Sequence, residues 1–303
     1  MLAFRSRFPR ICRPCKHLSK IVPTNTQAAH IRAPSLPPRN TVCTDTMARQ
    51  PVLKIIDAHI HLFAQEHLSQ LAWMTPASPL HAAHSVPEYA RAVASTSRSN
   101  DSYTTPVQVQ VAGYLFVEAD RSYLLPLLPP AGPGSAGTDA VSAEAILHPL
   151  DEIRFAQRIF ATATNKTSGG AGSAGRMLGM IPWGPIPLGA AGMDAWWTLA
   201  QNCADGRGPR TVQEMVRGVR FLVQDAPRDT LTAPGFLDGV RWVLQRGLAF
   251  DLGIDVHSGR LWQLADAAEF CARLLRPGRG IERGWIVISL SSPSPLVPRD
   301  AVC

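Results

Sequence analysis

The sequence predicts an α/β protein built on a parallel sheet, preceded by a leader without structure of its own. Three observations lead there. After residue 52, short apolar runs alternate with longer amphipathic segments, the rhythm of strand–helix units that assemble parallel sheets. With 303 residues, 46% of them hydrophobic and 17% charged, the chain can bury the core of one large α/β domain. The basic character is also confined to one end. Net charge is +7, yet residues 1–50 hold nine Lys and Arg against one acid, Asp45, which leaves −1 on the remainder.

Residues 1–44 contain no Asp or Glu and are rich in Arg, Ser, Thr and Pro. That is the composition of a mitochondrial transit peptide, although Pro9 and Pro14 interrupt any long amphipathic helix. The alternative starts the functional protein at Met47, from which Met-Ala-Arg-Gln-Pro leads into an apolar strand. Either way residues 1–51 are expected to be disordered and the domain to occupy 52–303. The compartment is reducing, cytoplasmic for the Met47 start and mitochondrial for a transit peptide. Six scattered cysteines and no secretory h-region support that. Cys12-Arg13-Pro14-Cys15 has no second pair downstream, which argues against zinc or redox use. A basic leader on a near-neutral body is not a nucleic-acid footprint, and no apolar run reaches the length of about 18 that a membrane span needs.

Along the body, strands are expected at Leu53–His59, Val107–Val117, Met177–Trp183, Val216–Val223, Leu248–Ile254 and Trp285–Leu290. Helices are expected near Val86–Ser97, Leu150–Ala163, Met193–Cys203, Gly235–Arg246 and Leu261–Leu275. In the second helix Leu150, Ile153 and Ile159 share a face. Asp151 and Glu152 are expected in its first turn, where carboxylates suit the positive end of the helix dipole. Pro126–Thr138 and Thr164–Gly175 read as flexible surface loops. The glycine run in the latter precedes a strand, so it is not a dinucleotide fingerprint. Six strand–helix units result at most, where a closed (β/α)8 barrel needs about eight.

The chemistry concentrates at strand ends. Asp57, His59 and His61 alternate along the first strand and so share a face. Two imidazoles there can share a divalent metal, zinc above others, with Asp57 orienting a ligand from below; otherwise they are histidines satisfied by hydrogen bonds. Glu118 follows the second strand and either serves the site or pairs with Arg121. Arg220 ends the fourth strand, where its planar fork suits a carbonyl oxygen or an anionic product, or else a structural ion pair. Asp255 and His257 close the fifth strand, as base or substrate contacts or as part of a solvated loop.

Asp57-Ala58-His59-Ile60-His61-Leu62 resembles the first-strand signature of the amidohydrolase-related (amidohydrolase 2) superfamily, in the branch of sugar-lactone hydrolases such as the L-rhamnono-γ-lactonases. Leu71-Ala72-Trp73-Met74, His84-Ser85-Val86-Pro87-Glu88-Tyr89 and Gly113-Tyr114-Leu115-Phe116-Val117-Glu118-Ala119-Asp120 resemble that branch in order. So do Pro182-Trp183-Gly184-Pro185-Ile186-Pro187-Leu188-Gly189, Gly218-Val219-Arg220-Phe221-Leu222-Val223-Gln224-Asp225, Phe250-Asp251-Leu252-Gly253 and Gly259-Arg260-Leu261-Trp262-Gln263-Leu264. The resemblance implies a distorted TIM (β/α)8 barrel, here with about six of eight units, that hydrolyses a small sugar-acid lactone. His59 and His61 match the family's metal ligands, and Glu118 matches its acid at the second strand; some members work without a metal.

Two departures accompany it. Ser289 stands where the family's sixth strand carries histidine, and a hydroxyl replaces imidazole neither as ligand nor as acid–base group. The aspartate of the family's last strand has no counterpart, since Asp300 lies among Pro293, Pro295 and Pro298. Three functional readings follow: a lactone hydrolase, an inactive or incomplete amidohydrolase-like chain prone to aggregation, or a decarboxylase of the same family.

Overall fold

The structure, a computed structural model, describes residues 52–96, 108–125, 141–165, 175–203, 212–256, 259–274 and 285–291, together with the backbone of 2–5. The Cys12–Cys15 pair, most of both predicted loops, and His257 lie outside the described residues.

In chain order the strands are β1 (Leu2–Arg5), β2 (Val52–Ile60), β3 (Gln108–Val117), β4 (Arg176–Ile181), β5 (Gly218–Leu222), β6 (Ala249–Asp255) and β7 (Trp285–Ser291). The helices are α1 (Val86–Thr96), α2 (Leu147–Asn165), α3 (Gly189–Asn202), the single turn α4 (Val212–Met215), α5 (Pro234–Gln245) and α6 (Trp262–Leu274). Each expected strand and helix has its counterpart, and 3-10 turns at Gln65–Gln70, Ile186–Leu188 and Thr230–Thr232 fill the strand-to-helix corners. No described helix is long and apolar enough to cross a membrane.

Strands β2, β3 and β4 form one parallel ladder, and β5, β6 and β7 another. Parallel bridges from Met180 to Val216 and from Trp183 to Arg220 join them between β4 and β5. The strands therefore stand side by side in sequence order, as successive βαβ crossovers dictate. The sheet is strongly curled. In a flat sheet three strand spacings would hold β2 and β5 about 14 Å apart, yet the His59 and Arg220 side chains meet at 2.7 Å. That is the curvature of a parallel α/β barrel. Among the described residues no ladder joins β7 back to β2.

One element was not expected. Leu2–Arg5 lies antiparallel on the outer edge of β7, with Leu2 opposite Ile288 and Arg5 opposite Trp285. The physical reason is the row of unpaired backbone groups that an edge strand offers.

The core fills the space between the sheet and the helices, with Phe116, Ile153, Met180, Trp196, Val219, Phe236, Phe250 and Phe270 buried. Strands β5 and β6 are covered on both faces, which explains why they read as continuous apolar runs. Strand β2 is the exception: Val52, Leu53, Ile55 and Ile56 are all exposed, Ile56 at 57%. Helices α3 and α5 meet through Trp196, Trp197 and Trp242, whose rings lie 5.7 to 6.5 Å apart. The Arg246 guanidinium covers Trp242 at 3.7 Å, and Asp194 accepts from both Trp242 and Arg246.

One sequence expectation is corrected in α2. The helix starts at Leu147, so Asp151 and Glu152 sit beyond its first turn. Both act in pairing instead. Arg121 is buried with its guanidinium 3.3 Å from Asp151 and 3.4 Å from Glu152, and Glu152 also accepts from the Ala119 amide at 3.0 Å. Burial of Glu152 is compensated by an ion pair and hydrogen bonds, as a buried carboxylate requires.

Candidate active site

The β5–β6 register sets Arg220 directly opposite Asp251, and both project into the concave side of the curl. One step further along β6, Gly253 faces the same side. A Cβ there would collide with the Leu222 side chain; the missing side chain leaves room for Leu222 beside the guanidinium.

Arg220 is 7% exposed and is the hub of the site. Its Nη1 donates to His59 Nε2 at 2.7 Å and lies 3.8 Å from Asp251 Oδ2. Its Nε is 3.4 Å from Glu118 Oε1, yet this buried nitrogen has no hydrogen-bond partner. A guanidinium can only donate, so His59 Nε2 must accept, which puts the ring proton on Nδ1, 4.0 Å from Asp251 Oδ2.

The second imidazole is fixed the other way round. His61 Nδ1 bonds the Glu118 carbonyl at 2.7 Å and the Val117 carbonyl at 3.2 Å. Carbonyls only accept, so Nδ1 carries the proton and the Nε2 lone pair stays free. The two rings meet edge to face at 5.0 Å. Burial, then the Arg220 cation, pulls both imidazoles below their ordinary range, to about 4 each. Both are neutral at physiological pH.

The carboxylates move in the opposite direction. Burial pushes Glu118 up, opposed by Arg220. Asp251 is raised for the same reason, against the pull of Arg220 and of Ser289. Asp57 does not reach a ring: its carboxylate accepts from the His59 amide at 3.3 Å and from Tyr89 Oη at 3.1 Å. It secures the strand end that carries the imidazoles.

His59, His61, Glu118 and Arg220 are thus brought together. Glu118 pairs with Arg220, and its alternative partner Arg121 is buried against Glu152 and Asp151. Asp255 is buried at the far end of β6, 3.7 Å from Arg260, with its amide donating to Gln263. His257 cannot be placed, as it falls outside the described residues.

Asp251 belongs to this cluster and was missed in the sequence. Its signal was an acid inside the otherwise apolar run Ala249–Ile254, where an unpaired charge would be costly. Ser289, seen in the sequence only as a missing histidine, donates to Asp251 Oδ1 at 2.5 Å.

A cavity of about 250 Å³ opens beside the cluster, lined by His61, Trp73, Glu118, Asp120 and Arg220 among others. A second of about 280 Å³ adjoins it and shares Asp120, Leu222 and Gln224 with the first.

A structural zinc needs four donors and a catalytic one three from the protein. Among the described residues no group of three His, Cys, Asp or Glu side chains could hold an ion. The His59 lone pair that would face a metal is occupied by a cation 2.7 Å away, which repels a dication. As arranged, these residues do not fit zinc.

No protein-family model matches the chain. Over 220 residues it is 30% identical to L-rhamnono-gamma-lactonase of Scheffersomyces stipitis, a match covering 71% of this chain and 56% of that protein. The chain therefore spans about half the length of this curated relative. A solved structure, amidohydrolase 2 from Bifidobacterium longum subsp. infantis, aligns over 73% of this chain and 58% of its own, with 17% identity and a TM-score of 0.40.

Proposed function

Because the chain belongs to the amidohydrolase-related family, on its lactonase-like side, we propose that it hydrolyses a small sugar-acid lactone of the L-rhamnono-1,4-lactone kind, on a distorted TIM barrel. The observation that carries this reading is the cavity lined by both Arg220 and His61, with the His61 proton held on Nδ1 so that Nε2 can accept.

The roles follow from those atoms. The lactone carbonyl lies against Arg220, whose N–H groups are aimed where negative charge grows as the carbon becomes tetrahedral. Water attacks the carbonyl carbon and gives its proton to His61 Nε2, which its two carbonyl bonds hold in the accepting tautomer. Collapse breaks the ring C–O bond, and the departing oxygen takes the proton from His61. The product is an open hydroxy acid. Glu118 and Asp251 flank Arg220 and hold its fork in place.

A pH-indicator assay on L-rhamnono-1,4-lactone and related sugar lactones tests this. Acid release by the wild type is expected. A folded protein that releases no acid across such a panel rules the assignment out.

A further inference from the structure

Resting on that lactone reading, we propose that Asp120 determines specificity, its carboxylate accepting hydrogen bonds from the hydroxyl groups of a neutral polyhydroxylated lactone whose carbonyl lies against Arg220.

Asp120 is one of two described non-glycine residues at positive φ, here 55°. Left-handed backbone costs an L residue on the order of 1 kcal/mol, least for Asn and Asp. The conformation is imposed from both sides: the Asp120 amide donates to Glu118 Oε2 at 2.5 Å, and its carbonyl accepts from the Ala72 amide at 3.0 Å. The backbone is thus tied to a site residue on one side and to the Trp73 segment on the other.

The carboxylate itself has no hydrogen-bond or ion-pair partner among the described residues. It stands where the two cavities meet, lining both. A polar side chain in a strained, doubly anchored backbone and left without a partner is what a ligand-binding group looks like before its ligand arrives.

The second cavity indicates which ligand. Around Asp120 it offers Tyr123, Gln224, Asp225 and Thr230. Arg260, the cation beside Asp225, is committed to Asp225 at 2.8 Å, to Asp255 at 3.7 Å and to the Gln224 carbonyl. A substituent bearing a carboxylate would meet Asp120 and Asp225, and the one cation that acts on Asp120, Arg220, is already flanked by Glu118 and Asp251. A substituent bearing hydroxyls would find acceptors. Arg220 lines the first cavity and marks it as the place for the acceptor end of the ligand.

Two hydrolysis-resistant probes test this by calorimetry: a polyhydroxylated γ-lactam and 2-pyrrolidinone, which has the ring without hydroxyls. The wild type is expected to bind the hydroxylated lactam at least tenfold more tightly. Asp120→Asn, which tolerates the same backbone, should weaken that binding by roughly tenfold to a hundredfold, the worth of a charged hydrogen bond. Its affinity for 2-pyrrolidinone should not change. Asp120→Gly, which relieves the backbone, should behave alike and guards against a folding defect. Failure to distinguish the two lactams, equal losses on both, or tighter binding of a carboxylate-bearing lactam would overturn the assignment. Turnover is read separately: binding as expected without hydrolysis of the matching lactone leaves Asp120's role standing and removes the lactonase reading.

Discussion

At the scale of single residues, Arg220 joins imidazole, two carboxylates and cavity through one planar fork. Lysine keeps the charge but loses the geometry, so Arg220→Lys should lower kcat/KM on the cognate lactone by about 100- to 1000-fold, the size of a lost oxyanion donor. With His61 held near 4, the proposed base is unprotonated throughout the neutral range. The acid limb of the pH–rate profile should fall only below about pH 5, as the ring protonates. Stability follows the same shift. The folded His59 value, about 4, lies below the unfolded 6.5, so between those values the unfolded chain binds a proton that the native state refuses. The contribution is full above pH 6.5 and disappears as pH falls towards 4. The raised Glu118, Glu152 and Asp251 work in the opposite sense, losing stability as pH rises through their folded values. Urea melts of wild type against His59→Asn isolate the imidazole: the variant should lose less stability between pH 6.5 and 4. What the sequence disclosed at this scale was spacing. His59 and His61 were legible as alternate residues of one strand, and Glu118 and Arg220 as charges ending apolar runs. Asp120 was not, because a left-handed backbone leaves no mark on a single sequence. Nor was the bond between Ser289 and Asp251, since it depends on a β6–β7 register that sets Gly253 opposite Ser289.

Among the elements, α5 shows how tightly the helical layer is fitted to the strand ends. Gly239 faces the 3-10 turn after β4, and a Cβ there would run into the Ile186 carbonyl. In an exposed helix Gly→Ala stabilises by about 1 kcal/mol. Here Gly239→Ala should destabilise, by about 1 to 3 kcal/mol as overpacked sites do, and denaturant midpoints give the sign. Elements of this length were readable because their apolar periods differ, two for half-buried strands and 3.6 for helices. Helix α2 illustrates the limit. Its start moved from Leu150 to Leu147, and Glu152, read as a dipole partner, is a buried partner of Arg121. Periodicity reports which face is buried, while the partner of a buried charge is set by tertiary contacts.

For the whole molecule, the exposed apolar β2 is the main liability. Val52, Leu53, Ile55 and Ile56 present apolar surface along one strand, the kind of edge that pairs with other chains. Light scattering should show concentration-dependent self-association, and Ile56→Lys should reduce it without changing turnover, since Ile56 touches neither cavity. The parallel order of strands was legible from their alternation with helices, whereas the curl that brings β2 onto β5 was not, being a property of the assembled sheet. The Trp196–Trp197–Trp242 seam has a consequence of its own. Three indoles at 5.7 to 6.5 Å couple their excited states, so the native near-ultraviolet dichroism should be dominated by one site remote from the cavity. Trp73, beside the cavity and 40% exposed, remains open to a collisional quencher. The indole seam thus reports the docking of α3 on α5, and Trp73 the arrival of a ligand once Trp285, 43% exposed, is replaced by Phe.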